Sequence, residues 1–386
     1  MQKSSNRTTF HLWLPNIFEF KGGIQVYLAV FLKALQSLYP NSDYEVFLKH
    51  DTRSLPDLSF LTHTKFHFYG TWPLPLRTAV FATQLVGIGL WQRPGLIIST
   101  HVNFTPAAYW LKRLTGMPYW VIVYGTDAWN IERPPLQKAL HHADRILSIS
   151  NYTRDRLIKE QNLNPAKISL LPCTFDASRF QIRPKPQHLL NRYRLTTEQP
   201  IILSVGRLDS TQPYKGYDKI LRALPEIRRQ IPNVHYILVG QGSDRPRIEQ
   251  LIAQLNLQNC VTLAGFVPDN EIGDYYNLCD VFAMPSKGEG FGIVYLEALA
   301  CGKPTLGGNQ DGAIDALCNG ELGALVDPDN VDAIARTLIQ ILQGTFDNPI
   351  LYQPESLRKK VIENFGFECF KQRLAELMES STRVDA

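Results

Sequence analysis

Short hydrophobic runs alternate with longer amphipathic segments through the first half of the chain. Residues 24–37, which follow a glycine pair, carry apolar side chains at helical spacing and predict a helix. Residues 119–124 (YWVIVY) form a continuous run that is typical of a strand buried on both faces. The other short runs predict strands over residues 10–15, 44–48, 96–99, 146–149 and 168–171.

This pattern breaks between residues 175 and 200, where prolines and charged residues predict a linker. Beyond it, strands are predicted over residues 201–205, 234–239, 261–264, 281–284 and 304–306, and helices over 217–230, 244–255, 270–277, 293–300 and 331–343. Such alternation predicts parallel α/β sheets. We therefore expect two doubly wound, Rossmann-like domains, residues 1–180 and 195–364, with a helix at 365–386 packed back on the first.

Ligands of such sheets bind beyond the carboxyl ends of the strands, so the expected site is a cleft between the two domains. The most apolar stretch, residues 71–92, contains Arg77 and two prolines. A spanning helix needs roughly 20 mostly apolar residues, so this stretch predicts a loop followed by a buried or surface-docked helix. The amino terminus has no apolar core of signal-peptide length, which predicts a cytoplasmic protein.

Composition changes this picture little. The 386 residues are 44% hydrophobic and 20% charged, which is ordinary for two globular domains. Six scattered cysteines without a C-x-x-C pair are compatible with a disulfide framework or with buried thiols in a reducing compartment. The chain length and the missing secretion signal favour buried thiols.

Charge is distributed unevenly. Residues 1–175 hold 18 Lys and Arg against 10 Asp and Glu, a net of +8, and the remainder holds 22 against 26, a net of −4. The basic half predicts attraction to an anionic partner, either a charged acceptor or the inner face of a membrane on which the protein would be peripheral. A solvated surface without a partner is the alternative. We expect no nucleic-acid partner.

Residues 286–297 (SKGEGFGIVYLE) follow a predicted strand and open a predicted helix. Their glycines let the backbone approach a ligand closely, and a helix start offers free N–H groups to phosphate oxygens. Glu289 and Glu297 place one carboxylate in the loop and one on the helix, and carboxylates accept hydrogen bonds from paired sugar or ribose hydroxyls. Each glutamate alone would be read as a solvated side chain, but the combined pattern favours a nucleotide-sugar site.

This segment resembles the signature of the retaining glycosyltransferases with the GT-B fold in family 4 (glycosyl transferases group 1). The family motif is E-G-F-G-x-x-x-x-E followed by G-K-P, which stands here at residues 302–304. The resemblance implies that Glu289 lies beside the donor sugar and that Glu297 binds the ribose. It also implies that the diphosphate and sugar contact the backbone of Gly290, Phe291, Gly292 and Ile293.

Other family features follow in order along the chain. Gly206, Arg207 and Lys215 resemble the G-R-L…K-G element, whose two cations hold the diphosphate and stabilise the charge that develops on it. Gly22 and Gly23 resemble the loop that closes over the diphosphate from the amino-terminal domain. In isolation, a glycine pair indicates only a turn.

The remaining matches concern the sugar, the acceptor and the base. His101 follows a strand where the family often has a histidine near the donor sugar, although an isolated histidine is more often structural. Tyr124 and Asp127 occupy the place of an H-G-x-E/D element with tyrosine replacing the histidine, and Asp127 is the expected contact to an acceptor or sugar hydroxyl. The elements that flank the base are matched by Gly240, Phe266 and Val267.

The resemblance implies transfer of a hexose from a UDP- or GDP-linked donor to a hydroxyl of a saccharide or lipid-linked acceptor, with retention, in polysaccharide or glycolipid synthesis. UDP is favoured by its prevalence in the family. No His or Cys cluster has metal-ligand spacing, and the D-P-D at 327–329 predicts a turn and a cap for the helix that follows. We therefore expect neither a catalytic metal nor a cofactor.

Three other classes compete with this hypothesis. A nucleotide-sugar epimerase or a glycan phosphorylase would share the two-domain shape, and a non-catalytic nucleotide-sugar binding protein would share the site. A dinucleotide-binding dehydrogenase is disfavoured, because the G-x-G at 240–242 has Arg245 where the fingerprint requires a third glycine.

Overall fold

The computed structural model describes residues 8–19, 22–53, 62–211 and 213–382. The chain forms two compact units, one of residues 1–173 with 368–386 and the other of residues 174–367. Each unit is built on one sheet whose strand pairs are all parallel. The prediction of two doubly wound α/β domains is confirmed.

The sheet of the first unit has the strand order β3-β2-β1-β4-β5-β6-β7. Its elements are β1 (Thr9–Leu14), α1 (Gly23–Leu38), β2 (Asp43–Leu48), β3 (Thr64–Phe68), α2 (Leu74–Gln92), β4 (Leu96–Ser99), α3 (Thr105–Thr115), β5 (Tyr119–Val123), α4 (Pro134–His142), β6 (Arg145–Ser148), α5 (Asn151–Gln161) and β7 (Ile168–Leu170). All five residues of β5 are buried, as expected for a central strand covered on both faces.

The second unit has a six-stranded sheet in the order β10-β9-β8-β11-β12-β13. Its elements are α6 (Gln187–Tyr193), β8 (Ile201–Val205), α7 (Tyr217–Gln230), β9 (His235–Val239), α8 (Arg245–Gln254), β10 (Val261–Gly265), α9 (Ile272–Leu278), β11 (Val281–Met284), α10 (Ile293–Ala300), β12 (Thr305–Gly308), α11 (Ala313–Ala316), β13 (Ala324–Val326), α12 (Val331–Leu342) and α13 (Pro354–Phe365).

The carboxyl-terminal helix α14 (Phe367–Thr382) belongs to the first unit from Glu368 onward. The Phe370 ring packs edge-on against Tyr27 of α1, with ring centroids 5.6 Å apart. The Arg145 guanidinium donates hydrogen bonds to the Leu377 carbonyl (2.9 Å) and the Ser380 hydroxyl (3.0 Å). Residues 383–386 of the predicted helix lie outside the described residues.

Several sequence predictions need correction. The segment predicted as a linker contains α6, whose Leu189 and Leu190 are buried and whose proline-rich flank misled the prediction. The strands β3 and β13 were not predicted. The sequence of β3 (TKFHF) has no continuous apolar run and none of its residues is fully buried, and β13 is only three residues long. The D-P-D segment does form a turn, but the side chain that caps α12 is that of Asn330, which accepts from the Ala333 N–H at 2.9 Å.

All six cysteines lie in the described residues, no disulfide joins them, and four of them are buried. This confirms the interpretation as buried thiols rather than a disulfide framework. Ser150 caps α5 by accepting a hydrogen bond from the Thr153 N–H at 3.0 Å.

Position 240, directly after β9, requires a glycine because its backbone lies against the residue that follows β8. Gly240 has a φ of +140°, which residues with a side chain rarely adopt, and a Cβ there would lie 1.8 Å from the Gly206 carbonyl oxygen. We predict that Gly240→Ala lowers the free energy of unfolding by about 2–4 kcal/mol through strain and overlap. Gly87→Ala is the matched control, since Gly87 lies in α2 with open space around it and should gain up to about 1 kcal/mol. Urea unfolding of both variants measures this, and equal stabilities would contradict the packing described.

Candidate active site

The loops of the predicted donor site lie at the switch point of the second sheet. The strand order turns back between β8 and β11, and in such sheets the crevice at that point is where ligands bind. The loop after β8 holds Gly206, Arg207 and Lys215, and the loop after β11 holds residues 286–292. The backbone N–H of Lys287 donates a hydrogen bond to the Tyr214 carbonyl at 2.9 Å, so the two loops are in contact.

A buried aspartate fixes the loop after β11. Asp311 Oδ2 accepts hydrogen bonds from the Ser286 hydroxyl (2.7 Å) and from the backbone N–H groups of Gly288 (2.9 Å) and Glu289 (2.8 Å). Burial raises the pKa of Asp311, and these hydrogen bonds counteract that rise by favouring the carboxylate. The Glu289 carbonyl in turn accepts from the Gly312 N–H at 2.9 Å, so both ends of this residue's backbone are held.

Lys215 and Glu289 form an ion pair at the junction of the two loops. The Lys215 Nζ lies 2.7 Å from the Glu289 Oε2, and the two side chains are 15% and 19% exposed. Burial alone would lower the pKa of Lys215, but the charge of Glu289 and the neighbouring Tyr214 raise it, while Arg207 opposes them. A Cβ on Gly206 would lie 2.9 Å from the Lys215 Cδ, so glycine makes room for the lysine chain. The structure thus brings together four of the predicted donor-site residues.

The helix α10 begins directly after this pair. Gly292 has a φ of +89°, and a Cβ there would lie 2.5 Å from the Tyr295 ring, so only glycine fits. Ile293 is the first helical residue. The Phe291 side chain is buried and packs edge-on against Phe365 at 5.5 Å, so this residue can offer a ligand only its backbone.

Glu297 lies on α10, one turn beyond the helix start. Its Oε2 accepts a hydrogen bond from the Tyr276 hydroxyl at 2.6 Å. Burial raises the pKa of Glu297, and the Tyr276 bond and the nearby charge of Arg179 counteract the rise. Gly290 packs so closely on Gly312 that a Cβ on the latter would lie 2.1 Å from the Gly290 oxygen. Loop, helix start and both glutamates therefore form one rigid element.

The residues predicted to flank the base lie at the same sheet edge. Gly240 follows β9, and Phe266 and Val267 follow β10, so all three stand beyond the carboxyl ends of strands on one side of β8. The Gly240 N–H donates to the Gly265 carbonyl at 2.8 Å. The Phe266 ring is 66% exposed and offers an aromatic face at this edge.

His101 lies in the first unit, in the loop after β4 and therefore at the switch point between β1 and β4. Its Nδ1 accepts a hydrogen bond from the Asn103 N–H at 3.1 Å, which leaves the proton on Nε2. Burial, with Lys49 and His50 close by, lowers the pKa of His101 to about 4. The imidazole is therefore neutral at physiological pH and can donate a hydrogen bond from Nε2.

Tyr124 and Asp127 follow β5, the strand next to β4. The Tyr124 ring is buried and packs edge-on against Tyr27 at 5.5 Å, so this side chain belongs to the packed interior of the unit. Asp127 Oδ1 accepts from the Tyr124 N–H at 2.9 Å, whereas Oδ2 is buried with no hydrogen-bond partner among the described residues. Burial raises the pKa of Asp127 to about 7, against the lowering by backbone hydrogen bonds.

The predicted glycine pair opens α1 in the first unit. Gly22 has extended backbone (φ −162°) and precedes the helix, and Gly23 is the first helical residue. The loop that leads to them is held by the buried Asp51 carboxylate, although residues 20–21 lie outside the described residues. The N–H groups that donate to Asp51 are those of Ile17 (2.6 Å), Phe18 (3.1 Å) and Glu19 (3.0 Å).

Sequence reasoning missed Asp311, Asp51 and Tyr276. An aspartate followed by glycine, as at residues 311–312, indicates a turn when it is read locally. Its contact with the loop at 286–289 depends on β12 lying next to β11, which only the sheet order reveals. Asp51 likewise reaches the loop after β1 because β2 lies next to β1.

Two family models match the chain. The model "Glycosyl transferases group 1" matches residues 188–364, and the model "Glycosyltransferase Family 4" matches residues 21–179. Together they cover both units and the motifs described above. The chain belongs to family 4 of the glycosyltransferases with the GT-B fold.

The curated relatives at about one third sequence identity match only part of this chain. A GDP-mannose-dependent alpha-(1-6)-phosphatidylinositol monomannoside mannosyltransferase of Mycolicibacterium smegmatis is 33% identical over 256 residues, 64% of this chain and 65% of the relative. The chain spans less than two thirds of the length of the curated relatives that it matches first.

Two solved structures show the same fold. Sucrose-phosphate synthase from Thermosynechococcus elongatus superposes with a TM-score of 0.80 at 22% identity, covering 98% of this chain and 100% of that one. Anabaena HepE in complex with UDP-glucose superposes with a TM-score of 0.78 at 20% identity, covering 96% and 99%. These likenesses support the GT-B architecture of two parallel α/β domains.

Asp311 can be tested by Asp311→Asn. In the wild type, the Oδ2 accepts from the loop at residues 286–289 and the Oδ1 accepts from the Ala313 N–H. An asparagine has only one acceptor oxygen, so its NH₂ group must face the donors on one of these two sides. We predict a loss of roughly 2–4 kcal/mol in the free energy of unfolding. Urea unfolding measures it, with the exposed Asp347→Asn as control. A loss no larger than that of the control would show that Asp311 does not hold the loop.

Asp127→Asn tests the buried carboxyl by its pH dependence. The folded pKa of about 7 exceeds the unfolded value, so the folded state holds a proton that the unfolded state releases. This stability is lost as the pH rises through about 7. The loss is complete above about pH 7, so relative to wild type the variant should gain roughly 2.5–3 kcal/mol between pH 5 and pH 8. Unfolding curves at both pH values measure it, and a difference independent of pH would contradict the assignment.

Proposed function

We propose that the protein is a retaining hexosyltransferase that moves a hexose from a nucleoside diphosphate sugar to a hydroxyl acceptor. The observation that carries this proposal is the Lys215–Glu289 ion pair at the sheet's switch point, directly before a glycine-lined helix start. A cation, a held carboxylate and free N–H groups together match a diphosphate joined to a sugar.

Each residue has a chemical role in this proposal. Lys215 and Arg207 bind the diphosphate and stabilise the negative charge that grows on it as the bond to the sugar breaks. Glu289 accepts hydrogen bonds from the sugar hydroxyls, and Glu297 from those of the ribose. In the first unit, the neutral His101 donates its Nε2–H to the donor sugar, and Asp127 contacts an acceptor hydroxyl.

Retention follows from a front-side route. The bond from the anomeric carbon to the phosphate oxygen breaks, the acceptor oxygen bonds to the same face of that carbon, and the acceptor proton passes to the departing phosphate oxygen. This route needs no strong protein base. The cations of Lys215 and Arg207 supply the charge that a metal ion would otherwise provide, so we propose that transfer is metal-independent and persists in a chelator.

The names of the relatives guide the choice of donor. The Mycolicibacterium relative at 33% identity is GDP-mannose-dependent, whereas HepE, at 20% identity, was solved with UDP-glucose. Because sequence identity is higher to the first, we propose GDP-mannose as the donor and place UDP-glucose second. The same relative acts on a phosphatidylinositol monomannoside, which supports a lipid-linked acceptor and glycolipid synthesis at the inner face of a membrane.

Glu289→Gln tests the carboxylate directly. The amide keeps the shape and the backbone contacts but loses the charge, so transfer should fall by about a hundredfold or more. Affinity for the nucleoside diphosphate should stay the same or rise, because Lys215 is released from its ion pair. Labelled-sugar transfer and calorimetric titration measure the two quantities.

The control is Glu321→Gln, an exposed glutamate of the same unit that should leave both quantities unchanged. Turnover by Glu289→Gln at the wild-type rate would refute the role of Glu289.

The donor is identified by thermal shift, since a ligand stabilises the fold by mass action. Wild type should be stabilised more by GDP than by UDP or NAD, and binding without any transfer would favour a non-catalytic binding protein.

A further inference from the structure

The first unit exposes an apolar surface on α2 and α3. Among the described residues, seven of the ten exposed large hydrophobic side chains lie between positions 72 and 114. Three lie at the end of α2 and on α3, which contact each other near Gly89 and Leu111: Trp91 is 81% exposed, Trp110 58% and Leu114 65%. Near the start of α2 the exposed residues are Trp72, Leu74 and Leu76. We call these six residues and Leu90 the apolar patch.

By length and composition α2 is apolar enough to cross a membrane, yet it is only 17% buried in the unit. Its contacts show that it lies on the surface of the unit. Phe81 and Leu85 are inserted in the core of the first unit. Gly89 lies so close to α3 that a Cβ there would be 2.7 Å from the Leu111 Cδ1.

Polar contacts hold both ends of α2. The Gln92 side chain bonds to His11 at 2.6 Å and to Glu45 at 3.0 Å. At the other end, the Arg77 guanidinium donates to the carbonyls of Gly70 and Trp72 and lies 3.3 Å from the His50 Nδ1. A helix fixed to a soluble sheet along its length cannot span a bilayer, but its outer face is free to lie in an interface.

Charge shows what kind of partner fits this face. Arg77 is the only charged residue of α2, and it is tied back to the backbone, so none of the exposed residues of the helix is charged. From residue 58 to residue 126 the chain has five Lys and Arg and no Asp or Glu. Arg93 at the end of α2 and Arg113 on α3 are exposed beside the patch.

We propose that the apolar patch, with Arg93 and Arg113, docks the first unit on the surface of an anionic lipid bilayer. Tryptophans are favoured at the boundary of headgroups and acyl chains, where the ring is half apolar and half polar. Arginines at the rim attract anionic headgroups. The inference deepens the proposed function, on whose lipid-linked acceptor it rests, by naming the face that meets the membrane.

A second copy of the chain fits this surface less well. A two-fold interface would bring the patch against itself and set Arg93 and Arg113 near their own copies, with no acidic residue from 58 to 126 to pair with them. An anionic bilayer supplies the missing negative charge.

Vesicle co-sedimentation of the full chain tests the proposal. Wild type should bind vesicles of phosphatidylcholine with phosphatidylglycerol, and binding should fall severalfold when phosphatidylglycerol is omitted or when salt is raised. The double variant Trp91→Ser with Trp110→Ser should bind at least about tenfold more weakly, since both rings leave the interface. Both rings are more than half exposed, so the melting temperature should not change.

The matched control is Phe266→Ser, which removes an aromatic ring of similar exposure from the second unit and should leave vesicle binding unchanged. Arg93→Asn with Arg113→Gln should weaken binding only to the anionic vesicles. Wild type that does not sediment, or a tryptophan variant that binds as well as wild type, would overturn the proposal. So would a dimer that the tryptophan variant dissociates while vesicles have no effect.

Because this assay does not depend on turnover, its failure is distinct from failure of the proposed function. If the patch docks on lipid, the tryptophan variant should transfer sugar to a detergent-dispersed acceptor at the wild-type rate and lose activity only on vesicles. Loss of vesicle binding in Glu289→Gln would contradict this separation.

Discussion

The Asp311 carboxylate is the constraint on which the candidate donor site depends. One buried oxygen accepts from the Ser286 hydroxyl and from two successive backbone N–H groups, and the last of these belongs to Glu289. A loop rich in glycine would otherwise sample many conformations at a large entropic cost. With Asp311 in place, Glu289 is fixed where it meets Lys215 at 2.7 Å, and α10 begins four residues later, at Ile293.

The two units use the same physical device at their switch points. In the first unit, Asp51 accepts hydrogen bonds from three N–H groups of the loop after β1, and Asp311 accepts from one hydroxyl and two N–H groups of the loop after β11. In both, the aspartate comes from a neighbouring strand and is fully buried. The chemistry differs. The second unit presents cations and carboxylates, whereas the first presents a neutral histidine and a carboxyl whose pKa burial raises to about 7.

The sequence predicted most of the fold, because buried parallel strands are continuous apolar runs and most of the predicted elements lie within two residues of the observed bounds. The family motif also led to the expectation that Lys215 and Glu289 share one site, and the structure brings the two side chains within 2.7 Å. The sequence could not predict Asp311 or Tyr276, whose partners are 22 and 21 residues away and depend on the strand order. The sequence predicted a buried or surface-docked helix within residues 71–92, and only the packed structure shows that one face of α2 is exposed.

The most direct test of the candidate donor site is a crystal structure of the protein with a bound nucleoside diphosphate sugar. We predict diphosphate oxygens within about 3 Å of the Lys215 Nζ, and a sugar hydroxyl that donates a hydrogen bond to Glu289. We also predict that the loop at residues 286–292 does not move when the ligand binds, because Asp311 already holds it. A diphosphate bound away from both the loop after β8 and the start of α10 would contradict the proposed site.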